Sequence, residues 1–220
     1  ADTAERKRYQ SQLGQLSENT VISVLRRAWM PPAAAPRVSD DVLRELLDVA
    51  MVRPQVVSRF ISGLAAPADW KMALGLLGDP RSGDAPAQAR DGLHRLLAGT
   101  QGDDTFMPLL RQLLVDGQVG PHVQQVIREH PELLVGLSGL NVVANAADAP
   151  LSDMLEAALQ DNQARGRLIA AFAQTTDPHV LSNFVTVLSN LYDRLDHATP
   201  GSGKVVENFA TQALGELVRA

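Results

Sequence analysis

The longest unbroken helical pattern in the chain runs from Asp177 to Asp196, DPHVLSNFVTVLSNLYDRLD. Leu181, Phe184, Val185, Leu188, Leu191, Tyr192 and Leu195 recur at helical spacing, which predicts one broad inward stripe. Asp177 is placed to accept the first orphan amides, and Pro178 at the first helical position gives up an N–H that has no partner anyway. Similar patterns predict short helices over 4–16 and 20–30, then over Pro67–Leu77, Asp84–Ala98, Pro131–Ala147, Pro150–Leu159, Arg165–Thr175 and Lys204–Val218. The last of these should bury Val206, Phe209, Ala210, Ala213 and Leu217.

Part of the pattern repeats. Val42 to Leu47 (VLRELL) matches Leu109 to Leu114 (LLRQLL), and Val52, Pro54 and Val56 match Val119, Pro121 and Val123 at the same offset without a gap. Ser39 followed by Asp40 and Asp41 makes a good start for the first of these helices. Pro54-Gln-Val, Pro121-His-Val and Pro178-His-Val each open the second helix of a pair, so a duplicated helical hairpin with a third copy at irregular spacing is expected.

The wording D-P-x-V at Asp177 followed by V-L-S-N-L at Val187 to Leu191 resembles the long inner helix of an armadillo or HEAT repeat. The resemblance implies a stack of helical hairpins. It also implies a role for Asn190, since the matching Asn of armadillo proteins holds the backbone of an extended peptide. Thr186 stands where peptide-binding armadillo repeats often carry Trp.

Composition narrows the class. Strand-like alternation is never sustained and aromatics are few, so the expected fold is all-α: an irregular α-solenoid or helical bundle of stacked hairpins with about a dozen helices. The Pro/Ala run at 31–38 divides a helical arm, 1–30, from a helical-repeat domain, 39–220. With no cysteine there is no disulfide, thiolate nucleophile or zinc-thiolate site. No segment reaches the roughly 18 apolar residues of a membrane span, and no signal peptide opens the chain. An Ala rather than a Met at position 1 suggests a piece of a longer protein. Basic residues are mostly Arg, with Lys only at positions 7, 71 and 204, a balance that fits a GC-rich bacterial genome.

The formal charge is −5, but residues 39–220 hold 14 basic against 22 acidic groups, which disfavours nucleic acid as a partner. From Glu129 to Ala164 there is neither Lys nor Arg, while Glu129, Glu132, Asp148, Asp153, Glu156 and Asp161 are acidic. Asn141, Asn145 and Asp148 share one helical stripe in that stretch.

Candidate chemistry is sparse. Gly201-Ser202-Gly203-Lys204 lacks the first glycine and the closing Ser/Thr of a phosphate loop, and the five histidines have no metal-ligand spacing. The L-x-x-L-L runs at Leu43, Leu93 and Leu110 read as buried stripes rather than docking motifs. The expected function is therefore a scaffold for protein–protein interaction, without cofactor or metal. Its partner would be another protein, offering a basic or extended segment to a concave, acidic face that includes Asn141, Asn145, Asp148, Asp153 and Asn190. The alternative is a cysteine-free catalytic domain of a secreted bacterial effector, for example a ubiquitin-ligase-like module acting on host proteins. The first expectation places the protein in the cytoplasm, and the second inside a host cell.

Overall fold

A computed structural model describes residues 3–31, 38–100, 106–137 and 149–219, and every regular element among them is helical. The chain divides into two compact units, residues 1–100 and 101–220, a division other than the one expected at 31–38. Residues 32–37 of the expected linker lie outside the described residues.

The first unit holds α1 (Thr3–Gln15), α2 (Glu18–Trp29), α3 (Asp40–Ala50), α4 (Pro54–Ser62), α5 (Pro67–Leu77) and α6 (Ala85–Gly99). The two N-terminal helices are part of this unit: α1 packs on α3, and α2 packs on both α3 and α4. Val21, Leu25 and Trp29 of α2 are buried, and the Trp29 ring stands edge-on to Phe60 of α4 at 5.8 Å. Glu18 adds a polar tie, pairing with Arg53 at 3.4 Å and with Arg59.

The tightest crossing in this unit is that of α5 on α6, and two glycines permit it. A Cβ on Gly92 would stand 1.9 Å from the Leu74 carbonyl oxygen, and one on Gly78 would stand 2.0 Å from that of Gln88. Around the crossing Leu74, Leu77, Leu93 and Leu96 are buried.

The second unit holds α7 (Met107–Val115), α8 (Gly120–Glu129), a 3₁₀ run at Pro131–Gly136, α9 (Ala149–Gln160), α10 (Asn162–Gln174), α11 (Pro178–Ala198) and α12 (Lys204–Arg219). The sequence pattern predicts a continuous helix over Pro131–Ala147. The chain instead makes 3₁₀ turns to Gly136, and 138–148 lie outside the described residues. Leu133, Leu134 and Val135 are buried in succession, which a one-faced amphipathic helix does not permit.

Local chemistry sets the helix starts, at Ser39 and Asp177 as expected, and at Ser17 and Asp161 a few residues before the expected starts at 20 and 165. Side chains of Ser17, Ser39, Asp84, Asp161 and Asp177 each accept a first-turn amide. Pro54, Pro121 and Pro178 all stand in the first turn of their helices, and the valine two residues on, Val56, Val123 or Val180, is buried in each case. The two matching hairpins also agree at Leu43 and Leu110, and at Leu47 and Leu114, all buried. They differ at the identical Val52 and Val119, since the first is half exposed and the second buried. The L-x-x-L-L leucines are core residues except Leu46, which is half-buried.

Candidate functional site

In the second unit three helices meet around three phenylalanines. Phe172 of α10, Phe184 of α11 and Phe209 of α12 have ring centroids 5.9 Å, 6.0 Å and 6.5 Å apart, two of the pairs edge-on. Such pairs favour fixed mutual angles, so the trio sets how the helices splay. The inward stripe of α11 is Val180, Phe184, Val187, Leu188, Leu191 and Leu195.

That stripe departs from the expected one at Val185, which is 53 % exposed. On α12, Leu217 is exposed where the pattern predicts burial, because the packed face of that helix ends at Ala213. The splay leaves an open apolar groove of about 360 Å³. Phe172, Leu188 and Phe209 form its floor, and Val185 and Leu214, the latter 60 % exposed, form its walls.

Tyr192 and Glu207 close one end of the groove. The Tyr192 ring occupies the space of a Gly203 side chain, whose Cβ would lie 2.5 Å from Cε2. The phenol is held above its ordinary pKa first by the negative charge of Asp196 and then by that of Glu207. Asp196 accepts from the Gly201 amide at 2.7 Å, and the Ser202 hydroxyl donates to the carbonyls of Leu195 and Thr199. Gly201 has φ of +88°, a conformation that favours glycine. The Gly-Ser-Gly-Lys sequence is thus a tight turn that seats a tyrosine ring.

Among the residues expected to bind a partner, Asn141, Asn145 and Asp148 lie outside the described residues. Asp153 is on α9, with 70 % of its side chain exposed and its carboxylate 3.3 Å from the Arg194 guanidinium. Arg194 also reaches Glu156 at 3.0 Å. Asn190 is half-buried on α11, one turn before Arg194. Arg194 thus ties α11 to Asp153 and Glu156 of α9, one turn along from Asn190, and a basic visitor to Asp153 meets an acid already paired with a guanidinium.

The first unit carries two further concavities. An apolar cleft of about 590 Å³ lies between α1, α2 and α3, with Leu13, Val24 and Val42 in its walls and Asp41 and Glu45 on its rim. A charged cleft of about 440 Å³ gathers Arg44, Asp48, Asp79, Arg81, Asp91 and Arg95. Convergent charges of this kind are what a catalytic reading requires, but here they close the end of α5. Arg44 donates to the carbonyls of Leu76 and Gly78 at 3.1 and 2.6 Å, and Arg95 donates to Leu77 and to Asp48. The Asp79 amide is held by Asp91 at 2.6 Å. Cations at a helix C-terminus satisfy its orphan carbonyls and oppose its dipole. Arg81, hydrogen-bonded to Asp79, lowers that carboxyl to a pKa of about 2.

No group of three or more potential metal ligands occurs among the described residues. None of their helices is long and apolar enough to cross a membrane. No protein-family model matches the chain, and no curated protein or solved structure matches it significantly.

Proposed function

We propose that this chain is a protein-interaction module that works without a cofactor and holds a segment of a partner protein in the groove of α10, α11 and α12. The observation that carries the reading is the pair of half-exposed aliphatic walls, Val185 and Leu214, above an aromatic floor. Contiguous exposed apolar surface is costly in water, and on globular folds it commonly marks a binding site. The armadillo-like wording of α11 agrees with a helical scaffold, although the groove uses the side of that helix carrying Val185 and Tyr192. The charged cleft supports catalysis less well, because backbone carbonyls and carboxylates already engage its guanidiniums.

The test compares what wild-type and Leu214→Glu chains retain from one lysate, read by quantitative mass spectrometry. Leu214 is exposed enough for the substitution to leave the circular dichroism spectrum unchanged. Proteins held by the wild type and lost from Leu214→Glu, and likewise from Val185→Glu, are the expected result. The same proteins held by all three chains would remove the groove from consideration.

A further inference from the structure

The dimensions and charge of the groove specify its occupant more closely, on the reading that the groove docks a protein. Along α11 the lining runs from Val185 to Tyr192, and along α12 from Val206 to Leu214. At 1.5 Å per residue these edges are roughly 10–12 Å long, about two turns of helix. Both edges are helix, so their backbone groups are already paired within α11 and α12. An extended peptide laid there would find no ladder of donors and acceptors for its own N–H and C=O groups, and leaving them unmade is expensive. A helical segment satisfies its own backbone and presents apolar side chains at i, i+3, i+4 and i+7. A small molecule fits less well, because walls as exposed as Val185 and Leu214 leave much of it in water.

Charge selects among helices. Among the described residues, Glu207 is the one charged side chain in the lining. Asp193 and Asp196 stand near enough to Tyr192, at the same end, for their charges to act on its phenol. Against these three carboxylates, Lys204 opens α12 three residues before Glu207, and the His197 ring faces the Asp193 carbonyl. Arg194 is turned away to Asp153 and Glu156 on α9. The end of the groove is therefore net acidic. An anionic lipid surface would be repelled at this end, and a second copy would fit it only by bringing a cation there rather than more carboxylates.

We propose that the groove receives two turns of an amphipathic helix from another protein, with its apolar stripe on the Phe172, Leu188 and Phe209 floor and a Lys or Arg meeting Glu207 at the Tyr192 end. The apolar contacts supply the affinity. The cation fixes which way the helix runs and hastens encounter.

The experiment is a surface-displayed library of 14-residue helices, with Leu, Ile or Phe at i, i+3, i+4 and i+7 and all other positions random, sorted against the whole 220-residue chain. Selected helices are expected to be enriched in Lys or Arg just beyond one end of the apolar stripe. Exchanging that cation for Glu in a synthetic winner should weaken binding by about tenfold, and Glu207→Lys in the chain should reverse the preference. Winners without a charge bias, or winners indifferent to Val185→Glu and Leu214→Glu, would overturn the proposal. So would a concentration-dependent dimer in sedimentation that Leu214→Glu abolishes, since the occupant would then be a second copy. If the library yields nothing while lysate capture still depends on Leu214, the helical occupant is wrong and the groove remains a docking site. Failure of both removes the groove itself.

Discussion

Replacing Gly92 by Ala sets two effects of opposite sign against each other. In an exposed helix the change stabilises by up to about 1 kcal/mol, because glycine loses more backbone freedom on folding. In α6 the new methyl would stand 1.9 Å from the Leu74 oxygen and 2.9 Å from the Gly78 nitrogen, whereas ordinary contact begins near 3.4 Å. The obstacle is backbone, so no side chain can swing aside and the two helices must separate by about 1.5 Å. A gap of 0.5–1 Å already forfeits a quarter to a half of each dispersion contact, and the buried leucines flanking the crossing would all feel it. Overpacking of this kind costs roughly 1–3 kcal/mol, so packing should win over propensity.

The same substitution at Gly75, also within a helix of this unit, meets nothing within 4 Å and should stabilise by roughly 0.5–1 kcal/mol. Both tryptophans, Trp29 and Trp70, lie in the first unit, and Trp70 is on α5 itself, so urea unfolding followed by fluorescence reports on the right helices. With an m-value of about 2 kcal/mol per molar, and the propensity gain set against the overpacking cost, Gly92→Ala should lower the midpoint by up to about 1 M and Gly75→Ala should raise it. A neutral or stabilising Gly92→Ala would refute the close approach of α5 and α6.

Two further outcomes follow from the structure. Leu188→Ala should cost roughly 2–5 kcal/mol, because Leu188 is buried beneath the groove; the second unit has no tryptophan, so circular dichroism is the probe, and a loss below about 1 kcal/mol would make α11 peripheral. The Asp79 carboxyl should titrate near pH 2 by NMR rather than near 3.8, and Arg81→Ala should move it back toward 3.8. Because its folded pKa is depressed, whatever stability this pair adds is present above pH 3.8 and disappears as the pH falls through about 2.

The features legible in the amino-acid sequence are those decided by neighbours in the chain. Asp177 and Pro178 start α11 through their own side chain and ring, and Val56, Val123 and Val180 turn inward two residues after their prolines. Features that are not legible there depend on residues far apart in sequence. Val185 lies at the margin of a helical stripe, and whether a margin is covered depends on where α10 and α12 come to rest. The groove therefore leaves no one-dimensional signature beyond an α11 stripe wider than its partners need. The Arg44 clamp is similar: the arginine occurs within a repeated L-R-x-L-L, but its acceptors lie 32 to 34 residues later, at the end of α5.

The acidic stretch shows most clearly how one dimension misleads. Its lack of Lys and Arg from Glu129 to Ala164 suggests a bare negative face. In the fold, arginines from later helices supply cations: Arg167 of α10 stands 3.8 Å from Glu132, and Arg194 of α11 bridges Asp153 and Glu156. Asp161 spends its carboxylate on the Ala164 amide at the start of α10. Exposed pairs of this kind add little stability, typically under about 1 kcal/mol, so their main effect is on the field that a visitor meets. A basic segment approaching Asp153 would have to compete with Arg194, whereas one approaching Glu207 meets a carboxylate in the groove lining beside Tyr192. Among the described acids, local neutralisation, more than the count along the chain, is what favours Glu207 over Asp153 as the proposed contact for a cation.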